Sequence, residues 1–136
     1  MTHHVESMLR TYPKDLGSID QQKLAECIEA CFECAQTCTS CADACLAEDM
    51  VAELTQCIRL NQDCADVCAA TGRVLSRRTG SNAALDRALL EACQAACRSC
   101  AEECEKHAEM HEHCTICAKA CRRCEKACAE LLATLG

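Results

Sequence analysis

Six cysteines occupy the nineteen residues from 27 to 45, CIEACFECAQTCTSCADAC, and the steps between them alternate between four and three residues. On an α-helix, residues three and four apart lie on the same face. A helix over this stretch therefore places all six thiols in one stripe, where a soluble helix normally carries large apolar side chains. Thiolates are strong ligands for soft metal ions, so the chemistry that this spacing could support is metal binding.

Similar stripes recur along the rest of the chain, which has eighteen cysteines in total. Steps that alternate between three and four average 3.5 residues, the repeat of the buried seam in a left-handed helical bundle. We therefore predict that the thiols occupy core positions and that the interior is lined with sulfur. The cysteines form four groups, one on each predicted bundle helix: Cys27, Cys31, Cys34, Cys38, Cys41 and Cys45; Cys57, Cys64 and Cys68; Cys93, Cys97, Cys100 and Cys104; and Cys114, Cys117, Cys121, Cys124 and Cys128.

The sequence between these cysteines favours helix throughout, with one proline and few aromatic residues. A short leading helix is predicted over about 3–11, and four longer helices over about 19–47, 51–78, 83–108 and 113–135. Four helices with short connections form an antiparallel bundle. We predict an all-α fold, an antiparallel up-down four-helix bundle with a short extra N-terminal helix and a cysteine-lined core.

Local signals set the helix boundaries and the domain organisation. Gly80 is expected to end the second bundle helix, and Ser81 or Asn82 to cap the third. The next break has no glycine or proline, but the step from Cys114 to Cys117 repeats a three where the alternation requires a four, so a turn is predicted near 110–112. Gly72 lies inside a helix, where we expect a tolerated weak point. The 136 residues fit one domain, with the N-terminal helix and linker over about 1–18 and the bundle over about 19–135.

Charge and composition exclude several classes of partner. The net charge of −7 argues against nucleic acid and against an anionic membrane surface. No apolar run approaches the roughly 18 residues that span a bilayer. The N-terminal segment lacks the apolar region of a secretory signal, so we expect a cytoplasmic protein with reduced thiols. Disulfides within one helix are disfavoured, because Cβ atoms three or four residues apart are roughly 5–6 Å apart.

The spacing and charge favour Cu(I) among the thiophilic metals. Two sulfurs on adjacent helical turns can hold one low-coordinate Cu(I) ion, whereas zinc needs four tetrahedral ligands. One Cu(I) per thiolate leaves a dry core near neutral, whereas one zinc per four thiolates leaves two negative charges. We predict many Cu(I) ions, on the order of one per cysteine. An iron–sulfur cluster is disfavoured, because the cysteine run of bacterial ferredoxins is absent from the sequence. The supporting i, i+4 pairs are 27/31, 34/38, 41/45, 64/68, 93/97, 100/104, 117/121 and 124/128.

Polar residues interrupt the thiol stripes near one end of the predicted bundle. Asn61 fills the seam position between Cys57 and Cys64, and His107 and His111 continue the third stripe beyond Cys104. With the adjacent His113, these residues are candidate ligands or form the route for metal. In an up-down bundle, this end also gathers Cys45, Met50 and Met110. We hypothesise that metal enters and leaves here, because the other end gathers Leu24, Val74, Leu75, Leu85, Leu89, Leu90, Leu131, Leu132 and Leu135.

At these residues the chain resembles the four-helix-bundle copper storage proteins, in particular their cytosolic branch without an export signal. The resemblance covers about 19–135 and is carried by the repeated C-x3-C pairs, the segment CEKHAEMHEHCTICAKACRRCEKAC at 104–128, and Asn61 at a seam position. It implies a bundle that binds many Cu(I) ions through all eighteen cysteines and assembles into homotetramers. It also implies that His107 and Asn61 match polar core positions near the open end.

Three functions compete on these observations. The preferred one is a non-enzymatic cytosolic store or buffer of Cu(I), in which thiolates also shield the ion from water. The alternative is sequestration of zinc or other heavy metals in the manner of a metallothionein, and metal selectivity would separate the two. An enzyme is disfavoured, because a di-iron bundle needs Glu-x-x-His motifs and none is present in the sequence. A thiol oxidoreductase is also disfavoured, because it needs an exposed thiol of low pKa, whereas the C-x2-C steps of this chain lie inside the predicted core stripes.

Overall fold

The computed structural model describes residues 3–135, which form five α-helices and one 3₁₀ turn, with no β-strand in that range. The predicted all-α fold is confirmed. None of the helices in this part of the chain combines the length and apolar character that a membrane crossing requires. The helices are α1 (His3–Arg10), α2 (Gln21–Leu46), α3 (Thr55–Ser76), α4 (Ala83–His107) and α5 (Glu112–Thr134), with the 3₁₀ turn at Val51–Glu53.

Helices α2 to α5 form the bundle. Each packs against its two neighbours in the order α2, α3, α4, α5, and α5 returns to pack against α2. The short α1 lies against α2. The connections between consecutive bundle helices are short, as an up-down arrangement requires. The ends of α2 and α4 therefore meet the starts of α3 and α5 at one end of the bundle, called the open end below, and the closed end lies opposite.

The second bundle helix is shorter than predicted at both ends. The chain makes the 3₁₀ turn first, and Leu54, which is fully buried, separates this turn from Thr55. At the other end, Arg77 adopts extended backbone angles, so the helix stops at Ser76. Gly80 lies four residues later with φ of 61°, a left-handed conformation in which glycine costs least.

Side-chain caps begin two of the helices. Asn82 Oδ1 accepts a hydrogen bond from the backbone N–H of Leu85 at 3.1 Å, as predicted for the start of α4. Asp20 does the same for α2, accepting from Lys23 N–H at 3.0 Å. The predicted turn between the last two helices is confirmed at 108–111.

Gly72 corrects the expectation of a merely tolerated weak point. A Cβ atom at this position would lie 3.0–3.2 Å from three carbons of the Phe32 ring on α2. Separations this small are tighter than ordinary carbon contacts. The glycine therefore lets the aromatic ring of one helix lie directly over the backbone of the next.

Leucine fills the seam at the closed end of the core, and cysteine fills most of the seam beyond it. The four seam leucines are fully buried and stand where the cysteine stripes end. A buried ion pair lies beside them, with Arg78 Nη1 3.2 Å from Asp86 Oδ2 and both side chains less than a tenth exposed. The seam leucines are Leu24, Leu75, Leu90 and Leu131.

Candidate metal centre

All eighteen cysteines are buried and none is in a disulfide. Every one except Cys45 has its Sγ within 4.0 Å of another cysteine Sγ. These contacts join eleven of the thiols directly, and Cys128, which contacts Cys27, lies within 4.8 Å of Cys31, Cys93 and Cys124. The pairs Cys57–Cys104 and Cys41–Cys114 complete the array towards the open end without a direct contact of this kind to the other thiols. This array is the sulfur-lined interior that the cysteine stripes predict.

Most contacts in the array join different helices. Two of the eight i, i+4 pairs, 34/38 and 64/68, have Sγ atoms 3.7 Å apart. The other Sγ–Sγ hydrogen-bond contacts run across the bundle, such as Cys68–Cys93 and Cys38–Cys121, both at 3.6 Å. A metal ion inside the bundle can therefore take ligands from two or more helices as well as from one.

Sets of four thiols lie close enough to surround single ions, and neighbouring sets share members. Within each set the sulfur atoms all lie within 4.8 Å of one another. Cys124 belongs to the first two sets below, Cys34 to the second and third, and Cys38 and Cys121 to the third and fourth. In order from the closed end, the sets are Cys31, Cys93, Cys124 and Cys128; Cys34, Cys68, Cys97 and Cys124; Cys34, Cys38, Cys64 and Cys121; and Cys38, Cys100, Cys117 and Cys121.

Asn61 is the one amide inside the array, and it is fully buried on α3. Its Oδ1 accepts hydrogen bonds from the thiols of Cys100 on α4, at 3.0 Å, and Cys117 on α5, at 2.9 Å. Its Nδ2 donates to the Sγ of Cys57, one turn earlier, at 3.5 Å. The amide thus fills the seam position expected of it and connects thiols of three helices.

The array ends at a mixed group of three thiols and one imidazole. His113 Nδ1 lies 3.4 Å from the Sγ of Cys41 and 3.7 Å from that of Cys114, and Cys45 completes the group. Burial, followed by the negative charge of a Cys57 thiolate, raises the pKa of Cys114 to about 11. The same two causes raise the pKa of Cys45 to about 12. Both thiols therefore stay protonated at neutral pH until a metal replaces the proton.

The other two predicted histidines contact carboxylates instead of thiols. His107 Nε2 is 2.9 Å from Glu103 Oε2, one turn earlier on α4. His111 Nδ1 is 3.1 Å from Glu48 Oε2, and the same oxygen lies 2.9 Å from His113 Nε2. Of the four polar candidates, the structure therefore brings Asn61 and His113 into contact with thiols.

Glu48 is a site residue that the sequence analysis missed. It lies in the turn after α2, and the hydrogen bond from His113 lowers the pKa of its carboxyl group. Its position could have been found from the sequence, because the alternating cysteine spacing, continued by three residues from Cys45, reaches residue 48. The seam therefore continues past the end of the helix and carries a carboxylate there.

The chain is similar to copper storage proteins. The family profile of the copper storage proteins (Csp) matches residues 20–133. The copper storage protein Ccsp of Streptomyces lividans, in a structure loaded with 10 copper equivalents, is 60% identical. That match covers 95% of this chain and 98% of that chain, with a TM-score of 0.94.

Two further solved structures of copper storage proteins are also similar to this chain. A cytosolic copper storage protein from Streptomyces lividans with five coppers is 61% identical over 82% of this chain and 93% of that chain, with a TM-score of 0.81. The Cu(I)-bound copper storage protein BsCsp3 of Bacillus subtilis is 38% identical over 78% of this chain and 94% of that chain, with a TM-score of 0.69. With the profile match over the whole bundle and a core built of thiols, this chain belongs to the copper storage protein family.

Proposed function

We propose that this chain stores Cu(I) in the cytosol and that all eighteen cysteines are thiolate ligands. The observation that carries the proposal is the array of buried thiols whose four-membered sets share members. Copper-loaded relatives and the family profile support the metal, and the relative described as cytosolic supports the compartment. A single core cluster that runs from Leu9 to Leu131 supports one domain over 1–136.

Charge balance in the buried core favours copper over zinc as the stored ion. The structure does supply tetrahedral groups across the bundle, so geometry alone does not exclude zinc. Four-thiolate zinc sites, however, leave two negative charges each, which are costly in a dry core. Cu(I) at about one ion per thiolate balances the charge and can use bridging sulfurs. The metallothionein-like alternative therefore leaves uncompensated negative charge in the buried core.

We assign the polar residues at and near the open end to uptake and positioning. His113 is a ligand candidate of the last thiol group and stacks against His111, and we assign His111 and His107 to the route inward. The oxygen of Asn61 is a hard donor that matches Cu(I) poorly. Its hydrogen bonds to Cys100 and Cys117 support a role in holding thiols in place within the metal site.

We further propose that the protein is not an enzyme and that it assembles into homotetramers. Every thiol is buried, which does not suit a thiol oxidoreductase. The tetramer rests on the family resemblance and is consistent with exposed apolar side chains, including Met8 at 71% and Ile116 at 56%. Sedimentation of the reduced protein measures the assembly, and a monomer at all concentrations would contradict it.

An anaerobic titration of the fully reduced protein with Cu(I), against a competing chelator, tests the proposed function. We expect tight uptake near one Cu(I) per cysteine with helicity retained, and much weaker binding of zinc in a parallel titration. Saturation at about four ions, with zinc bound equally well, would instead indicate separate tetrahedral sites and a zinc-handling role.

A further inference from the structure

One carboxylate oxygen at the open end faces two imidazoles. Glu48 Oε2 lies 3.1 Å from Nδ1 of His111 and 2.9 Å from Nε2 of His113. The two rings stack, with centroids 5.5 Å apart and planes 19° apart. The oxygen therefore contacts a different nitrogen on each of two neighbouring rings.

This arrangement determines where each ring carries its proton. An ionised carboxylate only accepts hydrogen bonds, so the nitrogen that faces it must donate. A neutral imidazole has one N–H, and the other nitrogen then carries a lone pair. As a neutral ring, His113 therefore carries its proton on Nε2, which hydrogen-bonds Glu48. His111 Nδ1 lies at ion-pair distance from the same oxygen, which favours the proton on Nδ1 and hence the opposite tautomer.

The two nitrogens left without a proton are the ones available to a metal. His113 Nδ1 faces the sulfurs of Cys41 and Cys114. His111 Nε2 is buried and has no hydrogen-bond partner in the structure, in a residue that is 8% exposed. A buried polar atom without a partner is costly, and a lone pair kept in this state suits an incoming cation.

We propose that Glu48 is a positioning residue for copper uptake, which holds His111 and His113 in opposite tautomers so that both present a lone pair to Cu(I). The proposal deepens the proposed function and rests on it for the identity of the metal. Histidine ligands of metals commonly donate their other N–H to a carboxylate, and loss of that partner typically costs about 10–100-fold in metal affinity or activity. In this protein one carboxylate oxygen, Oε2 of Glu48, contacts both imidazole rings.

Three variants separate hydrogen bonding from charge. Glu48→Ala removes the acceptor, and Glu48→Gln keeps an acceptor oxygen but removes the charge. Asp49→Asn is the matched control, because Asp49 is the next residue, is exposed, and loses the same charge.

The first measurement is the proton position on each ring in the reduced, metal-free protein. Long-range ¹H–¹⁵N correlation spectra distinguish the two tautomers and the imidazolium. We expect Nδ1–H on His111 and Nε2–H on His113 in the wild-type protein, in Asp49→Asn and in Glu48→Gln. In Glu48→Ala we expect that the two rings no longer hold opposite tautomers. The same tautomer on both rings of the wild-type protein, or two imidazolium rings at neutral pH, would overturn the proposal.

The second measurement is the rate of Cu(I) transfer from a weak chelator, followed by stopped flow, together with the final capacity. We expect Glu48→Ala to load about 10–100-fold more slowly with its capacity unchanged, and Glu48→Gln to recover part of the rate. Loading of Glu48→Ala at the rate of Asp49→Asn would overturn the role of Glu48. If the wild-type protein takes up no Cu(I), the proposed function fails, while the spectra still decide where the protons lie.

Discussion

The two ends of the bundle are built from the same four helices but differ in the residues that occupy the seam. At the closed end, four leucines fill the seam and one ion pair joins the buried side chains of Arg78 and Asp86, with Arg78 Nε left without a hydrogen-bond partner. At the open end, the seam carries thiols, imidazoles and a carboxylate, and a nitrogen of His111 is left without a partner. The closed end is an apolar seam beside one ion pair, whereas the open end presents atoms that can bind a metal ion.

The comparison indicates that stability and metal handling are separated along the bundle axis. Leucine burial contributes about 1.5–3 kcal/mol per side chain and needs no metal. Buried thiols contribute less apolar area, and the raised pKa values of Cys114 and Cys45 keep these two thiols neutral until metal arrives. Changes at the closed end should therefore affect folding, and changes at the open end should affect copper exchange.

The largest expected effect is at the closed-end ion pair. Asp86→Ala leaves the Arg78 guanidinium buried without its partner, which typically costs about 3–5 kcal/mol in the free energy of unfolding. Denaturant unfolding of the metal-free protein measures this loss, and the rate of Cu(I) uptake should stay at the wild-type value. The double variant Arg78→Met with Asp86→Ala should recover most of the stability. A loss of only ~1 kcal/mol, typical of exposed pairs, would contradict the assignment.

The next effect belongs to the open end. Replacing His107, His111 and His113 together by alanine should slow Cu(I) loading about tenfold or more, equivalent to about 1.4 kcal/mol in the barrier, while most of the capacity remains. Stopped-flow loading and an end-point copper count make the measurement. His4→Ala is the control, because His4 is exposed on α1. Unchanged loading and removal rates in the triple variant would show that copper does not pass through this end.

The stability of the metal-free protein should fall as the pH rises above about 9. An unfolded thiol loses its proton near pH 9.0, whereas folded Cys114 and Cys45 keep theirs to about 11 and 12. Between these values the unfolded state binds fewer protons, so the free energy of unfolding decreases with pH. Denaturant unfolding on either side of pH 9 checks the sign.

Two comparisons sharpen this pH test. The copper-loaded protein should lack the decrease, because its thiols are already deprotonated by the metal. The double variant Cys45→Ala with Cys114→Ala should show a shallower decrease in the metal-free state. An increase of stability with pH would mean that these two thiols are ionised in the folded protein.

The smallest effect concerns Gly72, near the closed end of α3. Alanine is favoured over glycine in a helix by about 1 kcal/mol, but here its Cβ would press on the Phe32 ring. We expect Gly72→Ala to change the stability little in the wild-type protein and to stabilise the Phe32→Ala variant by up to about 1 kcal/mol. Thermal unfolding of all four proteins completes the cycle, and equal gains in both backgrounds would rule out the coupling.

The seam of the bundle could be predicted from sequence because its repeat is local. Alternating steps of three and four place Cys27 to Cys45 on one face whatever the other helices do, and the short connections then imply the up-down arrangement. The Asn82 cap was predictable for the same reason, since its partner is the N–H of Leu85.

The remaining features depend on how the helices are rotated and shifted against one another. Periodicity does not say that Cys68 faces Cys93, or that the ring of Phe32 lies over Gly72. It reaches residue 48 but does not show that a carboxylate there meets His111 and His113 of another segment, which is why Glu48 was missed. It also does not describe the turn before α3, which therefore begins later than expected. The metal roles of the cysteines, Asn61 and the histidines stay predictions that the experiments above can decide.

Because leucine fills one end of the bundle and polar residues line the other, the order in which ions enter bears on the order in which they leave. The thiols of α2 alone extend over 19 residues, from Cys27 to Cys45, or roughly 27 Å at the helical rise. Cys27 and Cys128 lie at the leucine end, 3.8 Å apart. If ions pass only the imidazole end, the store is a stack in which the last ion added is the first removed. A recipient would then draw on the newest copper, while the oldest forms a reserve beside the leucines.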